Sequence, residues 1–248
     1  MESERTSMRQ PLIIAETPQY IIVEKPHGVP TVPLKKGSEI PTLLDIAGTQ
    51  YPEILGDTHE GFTLHRLDTA TRGLVLFART AESYAVFQDL QKRGGILKEY
   101  LAICSTESEG SVTDGYPPVS HRPVPQQWDV ITSRFRPWGR GRKAVRPVTS
   151  QSPASASLKA GRSDYRTEVF IHSEGEARVN CEVKIVNGFR HQIRSHLAWF
   201  GYPIIGDELY GGRESDVLHL YACGLAFFDR YMNRNVHYTL EIKDLDKE

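Results

Sequence analysis

The chain contains little cysteine, with three residues of this type among 248. Cys104, Cys181 and Cys223 are far apart and odd in number, which argues against a disulfide framework and for a reducing compartment. No apolar stretch approaches the length of a membrane span, and the first ten residues lack the apolar core of a signal peptide. We therefore expect a cytoplasmic protein without a membrane segment.

Sequence patterns that bind metals and nucleotide cofactors are also missing. There is no Cys-x-x-Cys pair, and the nine histidines show no metal-ligand spacing. Neither the Rossmann nor the P-loop glycine pattern occurs. We therefore expect no metal, no nucleotide cofactor and no other cofactor. No internal repeat is visible either.

Charge is unevenly distributed, although the net charge is only −1. Residues 122–162 carry nine basic residues and one acidic residue, hence +8, and the rest of the chain carries −9. The basic residues are Arg122, Arg134, Arg136, Arg140, Arg142, Lys143, Arg146, Lys159 and Arg162. Such asymmetry predicts a polyanionic partner that contacts one region of the protein.

Part of this basic segment alternates cations with aromatic residues, in the order Arg134-Phe135-Arg136-Pro137-Trp138-Gly139-Arg140-Gly141-Arg142-Lys143. Phosphates favour the cations, and unstacked bases favour aromatic faces. A flexible, solvated basic loop explains the segment equally well. The following residues, 149–163, are rich in Ser, Ala and Gly and predict a flexible loop within a domain.

Hydrophobic patterns predict more strands than helices. The strands are expected at residues 20–23, 74–78, 98–103, 168–172, 177–186, 218–228 and 236–242, with a turn at Glu174-Gly175. One helix is expected between a Thr80 cap and Gly94-Gly95, and another at residues 191–200. This order predicts an α+β fold with a mainly antiparallel mixed central sheet and flanking helices and loops. We expect one domain over residues 1–248, with tails at 1–10 and 243–248.

The segment His65-Arg66-Leu67-Asp68 lies between a polar turn region and the apolar run at 74–78. A carboxylate in a loop that leads into a buried strand is well placed for chemistry. Taken alone, an Arg66–Asp68 surface ion pair or a turn cap explains the segment better. Its position relative to other sequence blocks decides between these interpretations.

Four blocks occur in order along the chain. They are Val23-Glu24-Lys25-Pro26-His27-Gly28; His65-Arg66-Leu67-Asp68-Thr69-Ala70-Thr71-Arg72-Gly73-Leu74; Lys98-Glu99-Tyr100-Leu101-Ala102; and Asn187-Gly188-Phe189-Arg190-His191-Gln192-Ile193-Arg194-Ser195-His196-Leu197, continued by residues 201–211. Together with a weaker match at Leu218-His219-Leu220-Tyr221-Ala222, they resemble the motifs of the RluA-type pseudouridine synthases over roughly residues 12–242.

The resemblance implies roles for individual residues. Asp68 would attack the target uridine at the sugar or the base, Tyr100 would stack on the uracil, and Arg194 would pair with Asp68 and keep it ionised. Taken singly, Tyr100 could be a core tyrosine and Arg194 a surface residue of a helix. The remaining predicted contacts with RNA or the base are Arg66, His65, Lys25, Leu220, Arg136 and Arg140.

The chain departs from the family pattern at three places: Arg72 replaces a small hydroxyl residue, Asn187-Gly188-Phe189 precedes Arg190 where the family reads Thr-Gly-Arg, and Tyr221 replaces a histidine. Arg72 and Arg190 lie where they could alter the RNA-facing surface, so they bear on the choice of substrate. No S4-like RNA-binding module is expected before residue 11.

The resemblance implies a pseudouridine synthase-like fold with an RNA-binding, catalytic cleft, and an isomerase that converts uridines of ribosomal or transfer RNA without a cofactor. Nothing in the sequence suggests an obligate partner, so we expect a monomer. A second hypothesis is a catalytically inactive RNA-binding or RNA-chaperone protein of the same fold. A third, a glycoside hydrolase, usually needs two carboxylates that flank one bond, and only Asp68 lies in a motif.

Overall fold

The computed structural model describes residues 11–33, 35, 38–106, 114–119, 121, 123–172 and 177–242. The predicted tails at 1–10 and 243–248, Arg122 and the predicted turn at Glu174-Gly175 lie outside the described residues. The chain forms two compact units, of which the first ends at Gln88 and the second begins at Asp89. The expectation of a single catalytic domain stays a prediction.

The first unit contains three antiparallel strands in the order β1 (Ile13–Glu16), β2 (Tyr20–Lys25) and β3 (Arg72–Ala78). The apolar residues of β2 and β3 are completely buried, which explains their unbroken hydrophobic runs. Between these strands lie the helix α1 (Leu43–Gly48) and a 3-10 turn (Pro52–Leu55).

Side chains cap the helices that belong to or begin in this unit. At α1, the Thr42 hydroxyl accepts from the Asp45 N–H (3.2 Å), and the Asp45 carboxylate accepts from the Thr42 N–H (2.9 Å), which forms a capping box. The helix α2 (Ala81–Lys92) contains the boundary between the units. As predicted, the Thr80 hydroxyl caps it by accepting from the Ser83 N–H at 3.0 Å.

The second unit contains seven strands joined in antiparallel pairs, in the order β10-β9-β4-β8-β7-β5-β6. Their bounds are β4 (Ile96–Ser105), β5 (Trp128–Trp138), β6 (Ala144–Val148), β7 (Tyr165–Ile171), β8 (Arg178–Ile185), β9 (Leu220–Asp229) and β10 (Arg234–Thr239). The alternation in β8 fulfils its prediction, because Val179, Cys181 and Val183 are buried while Asn180 and Glu182 are exposed. The helix α4 (Gln192–Trp199) follows β8.

The structure of the basic segment differs most from what the sequence predicts, because one alternative for it is a flexible, solvated loop. The centre of this segment is a β-hairpin of β5 and β6, with Arg136 opposite Arg146, and the tip of this hairpin contains a 3-10 turn (Arg140–Arg142). The alternative of a flexible basic loop is therefore wrong for these strands. The predicted loop at 149–163 also contains a helical turn, α3 (Ala154–Ser157).

The predicted α+β class with antiparallel sheets is confirmed. The elements that the sequence patterns missed are short or polar: β1, α1, α3 and the two strands of the basic hairpin. Among the described residues, no helix is both long and apolar enough to cross a membrane.

Candidate active site

Asp68 lies in the loop that leads into β3, and its side chain is half-buried. One threonine holds the residue before it: the Leu67 N–H donates to the Thr31 hydroxyl (3.1 Å), and this hydroxyl donates to the Leu67 carbonyl (3.0 Å). On the other side, the Thr71 N–H donates to the carbonyl of Asp68 at 3.0 Å and closes a turn. The backbone that carries the carboxylate is therefore held on both sides.

The two residues after Asp68 are held by the segment that follows β2. The carbonyl of Thr69 accepts from the Lys25 ammonium (3.0 Å) and from the Gly28 N–H (2.9 Å). The carbonyl of Ala70 lies 2.7 Å from Nδ1 of His27. These bonds join residues more than 40 positions apart, so tertiary contacts determine the shape of the loop.

Lys25 is completely buried, and its ammonium donates to the carbonyls of Pro26 (2.9 Å), Val29 (2.7 Å) and Thr69 (3.0 Å). An ammonium has three donors, so all three are used. Burial lowers the pKa of Lys25 to about 7, while the negative charge of Asp68 opposes this shift. A contact between Lys25 and RNA would require one of these bonds to break.

His65 and Arg66 face different surroundings. Nε2 of His65 accepts from the Leu76 N–H of β3 at 3.3 Å, which ties the ring to the strand. The Arg66 side chain is 61% exposed and pairs with Glu60 at 2.8 Å, rather than with Asp68. An exposed pair of this kind contributes little to stability, so the guanidinium can exchange Glu60 for a phosphate.

Tyr100 and Leu220 lie on neighbouring strands of the second unit. Tyr100 of β4 is opposite Ala222 of β9, and Leu220 of β9 is opposite Ala102 of β4. Opposite residues, and residues two positions apart on a strand, share a face of the sheet. The structure therefore places Tyr100 and Leu220 as buried diagonal neighbours on one face.

Arg194 lies on α4 and forms a bidentate ion pair with Asp207. Its Nε donates to Oδ2 at 2.7 Å and its Nη2 donates to Oδ1 at 2.8 Å. The ring of Tyr210 lies 5.2 Å from the guanidinium carbon, within the range of a cation–π contact. Neither Asp207 nor Tyr210 is predicted as a partner of Arg194 from the sequence. The predicted pairing of Arg194 with Asp68 joins residues of different units and stays a prediction.

Polar side chains fix α4 to the sheet of the second unit. The Gln192 amide donates to the Thr167 hydroxyl (2.9 Å), and the His196 ring is hydrogen-bonded to Ser133 (2.9 Å) and Thr167 (2.8 Å). Burial lowers the pKa of His196 to about 3, so this ring is neutral at pH 7. The helix that carries Arg194 is therefore anchored by neutral hydrogen bonds in the core.

Some cations of the basic hairpin pack against aromatic rings, and others are exposed to solvent. Arg136 lies over Trp138, with its guanidinium carbon 4.3 Å from the ring centroid, and Arg146 lies in the same way over Tyr116 at 4.2 Å. The cations at the tip are instead exposed: Arg140, Arg142 and Lys143. Within the described part of the chain, no carboxylate forms an ion pair with any of these five cations.

The predicted site residues are divided between the two units. The first carries Lys25, His65, Arg66 and Asp68, and the second carries Tyr100, Arg136, Arg140, Arg194 and Leu220. Among the described residues, no group of three or more His, Cys, Asp or Glu side chains is arranged to hold a metal ion. These positions supply a carboxylate, a phenol, an imidazole, an aliphatic side chain and cations.

Comparison with known proteins gives a family match over most of the chain. The family model described as RNA pseudouridylate synthase matches residues 19–199. The ribosomal large subunit pseudouridine synthase D of Pseudomonas aeruginosa is 29% identical over 203 residues, which cover 81% of this chain and 53% of that protein. The uncharacterized RNA pseudouridine synthase YhcT of Bacillus subtilis is 27% identical over 200 residues, with coverage of 81% and 57%. The chain thus spans about half the length of these curated relatives.

Solved structures show the same fold. The human RNA pseudouridylate synthase domain containing 1 aligns with a TM-score of 0.68 at 18% identity, over 95% of this chain and 84% of that chain. The human RNA pseudouridylate synthase domain containing 4 aligns with a TM-score of 0.67 at 18% identity, with coverage of 93% and 88%. At this level of identity the likeness concerns the fold alone.

Proposed function

This chain belongs to the RNA pseudouridylate synthase family, and from that premise we propose that it converts uridine in RNA to pseudouridine with Asp68 as the nucleophile. One observation carries the assignment of Asp68: its loop is bound on both sides by Thr31, Lys25 and Gly28. A carboxylate held in this way loses little freedom when it meets its target, which favours a reaction that depends on orientation.

The proposed reaction is a rearrangement within one nucleotide. The bond between N1 of uracil and C1′ of the ribose breaks, the uracil turns, and a new bond joins C5 to C1′. The proton on C5 leaves and N1 gains one, so atoms and electrons balance without an oxidant or reductant. Asp68 supplies the electron pair that attacks the ribose or the base, and the bond so formed breaks again before the product leaves, which returns the carboxylate. Arg194, in this proposal, pairs with Asp68 and keeps its charge.

Tyr100 and Leu220 support a place for the uracil. They are diagonal neighbours on one sheet face, and an aromatic side chain that stacks on a base contributes about 1–3 kcal/mol to binding. That contribution offsets the few kcal/mol needed to take a base out of its stack. In this proposal Tyr100 stacks on the base and Leu220 forms the apolar wall beside it.

The choice of RNA is the finer part of the proposal. Several relatives carry the name ribosomal large subunit pseudouridine synthase D, and on that basis we propose large-subunit ribosomal RNA ahead of transfer RNA. The test incubates the purified protein with transcripts of both RNAs and maps pseudouridine by mass spectrometry. We expect pseudouridine at a defined position of a ribosomal transcript. RNA binding without any pseudouridine would instead support the inactive RNA-binding alternative.

The exposed tip of the β5–β6 hairpin is the proposed electrostatic contact with RNA. Replacing Arg140 and Arg142 together by glutamine should weaken binding and make it less sensitive to salt. Each lost phosphate contact lowers the slope of log K against log salt by about 0.7–0.9, so the double variant should lose about 1.5. Fluorescence anisotropy at several salt concentrations measures this slope.

The matched control replaces Arg230 and Arg234, which are exposed at the turn that precedes β10 and at the start of that strand. This variant removes the same charge from the opposite end of the strand order and should leave the slope close to that of the native chain. Equal slopes for the two double variants would mean that the hairpin tip is not the RNA contact.

A further inference from the structure

We infer that Asp207 is a positioning residue, which sets the orientation of the Arg194 guanidinium for the reaction. Its carboxylate accepts from two nitrogens of that group, Nε at 2.7 Å and Nη2 at 2.8 Å. A bidentate pair of this kind fixes both the distance and the plane of a guanidinium.

Burial makes this contact costly to break. The Asp207 side chain is completely buried, and the Arg194 side chain is only 11% exposed. A buried charge pair is weakly screened by solvent, so removing one partner leaves the other charge without compensation. Arg194 therefore has one strongly preferred orientation while Asp207 is ionised.

Tyr210 supports the same orientation from the face of the guanidinium. Its ring is completely buried, and its centroid lies 5.2 Å from the guanidinium carbon. The Tyr210 hydroxyl accepts from the Val145 N–H of β6 at 3.0 Å, which fixes the ring in turn. Asp207 and Tyr210 belong to one turn, so a single short segment supports Arg194 on its edge and on its face.

The inference rests on the proposed function, which assigns the charge of Arg194 to the reacting carboxylate. In the proposed reaction Asp207 acts through Arg194. A guanidinium that is displaced by about 1 Å can lower a reaction rate about 100-fold. The expected signature of Asp207 is therefore a loss of turnover with little change in RNA binding.

The first test compares Asp207→Asn with Glu208→Gln on the same pseudouridine assay. Asparagine keeps the size of the side chain but removes its charge, so kcat should fall about 100-fold while KM for RNA changes less than about twofold. Glu208 is the exposed neighbour of Asp207 on the same turn, and its variant should keep the native kcat. A native kcat in a folded Asp207→Asn protein overturns the inference.

The buried position makes a second pair of variants necessary. Asp207→Glu keeps the charge and moves the carboxylate by one methylene, so it should still fold and should lower kcat at least about tenfold. In the Arg194→Met background, adding Asp207→Asn should lower kcat no further, because Asp207 acts only through Arg194. A native kcat for the glutamate variant, or additive losses in the double variant, contradicts the positioning role.

A measurement that needs no activity separates this inference from the proposed function. Nuclear magnetic resonance of the Arg194 Nε–H group reports how fast its hydrogen exchanges with water. Exchange should be at least about tenfold faster in Asp207→Asn and unchanged in Glu208→Gln. If the native protein forms no pseudouridine, the proposed function fails and this exchange rate still decides the inference: unchanged protection in Asp207→Asn overturns it.

Discussion

Replacing Asp68 by asparagine is expected to lower pseudouridine formation by at least about 10⁴-fold, because it removes the proposed nucleophile. Asparagine has the same shape and can keep the loop, since the bonds to Thr31, Lys25 and Gly28 involve the backbone around Asp68 rather than its carboxylate. Native thermal unfolding and native RNA affinity should therefore accompany the loss. Single-turnover assays on the transcript in which the native protein forms pseudouridine measure the effect.

Asp57→Asn is the control for charge alone, because Asp57 is an exposed carboxylate in the polar turn region of the same unit. It should keep full activity. Activity of Asp68→Asn within about tenfold of the native chain would end the nucleophile assignment. Loss of folding in Asp68→Asn would show that the charge of Asp68, beside the buried Lys25, is required by the first unit itself.

Sequence reasoning identified the loop of Asp68 but not what holds it. The motif order singled out the carboxylate, and the apolar run of β3 located it beside a buried strand. The support comes from the Thr31 hydroxyl, the Lys25 ammonium and the Gly28 N–H, which bind backbone atoms 36 to 44 residues away. Hydrophobic periodicity carries no information about such hydrogen bonds between distant parts of the chain. The predicted contact of Lys25 with RNA therefore takes no account of the three carbonyls that its ammonium binds.

In the second unit, too, the sequence identifies a charged site residue but not the residue that binds it. The fourth sequence block identifies Arg194 as a site residue. Its partner Asp207 lies in the continuation of the same block, but the sequence assigns it no role. Asp207 directly follows the apolar Ile204-Ile205-Gly206, which favours a buried acid, and a buried acid needs a cation. The contact of Asp207 with Arg194, which lies 13 residues earlier in the chain, depends on how the turn at Glu208–Tyr210 packs against α4.

Two departures from the family pattern now have structural partners. Arg72 donates to Glu24 at 2.6 Å, across the neighbouring strands β3 and β2. Arg190 donates to the carbonyls of Arg142 (2.7 Å) and Ala144 (3.2 Å), which ties the segment before α4 to the hairpin. Both arginines therefore serve local structure, and Arg190 joins the proposed RNA contact to the helix that carries Arg194.

Phe135→Ala is expected to destabilise the protein by about 3–5 kcal/mol, the usual effect of truncating a buried phenylalanine. Phe135 is 1% exposed, and its ring stacks on Phe189 at 5.1 Å between centroids and packs near His196 at 4.8 Å. It belongs to the core between the hairpin and α4. Denaturation in urea, followed by circular dichroism, measures the change in the free energy of unfolding.

The matched control is Phe228→Ala, which removes the same atoms from a strand position that is 45% exposed. We expect it to change stability by less than about 1 kcal/mol, because exposed substitutions have small effects. The sequence pattern suggested that Phe135 faces unstacked bases. That alternative predicts native stability and weaker RNA binding for Phe135→Ala, whereas a core role predicts lost stability. With Phe135 in the core, the proposed RNA contact rests on the exposed cations of the tip.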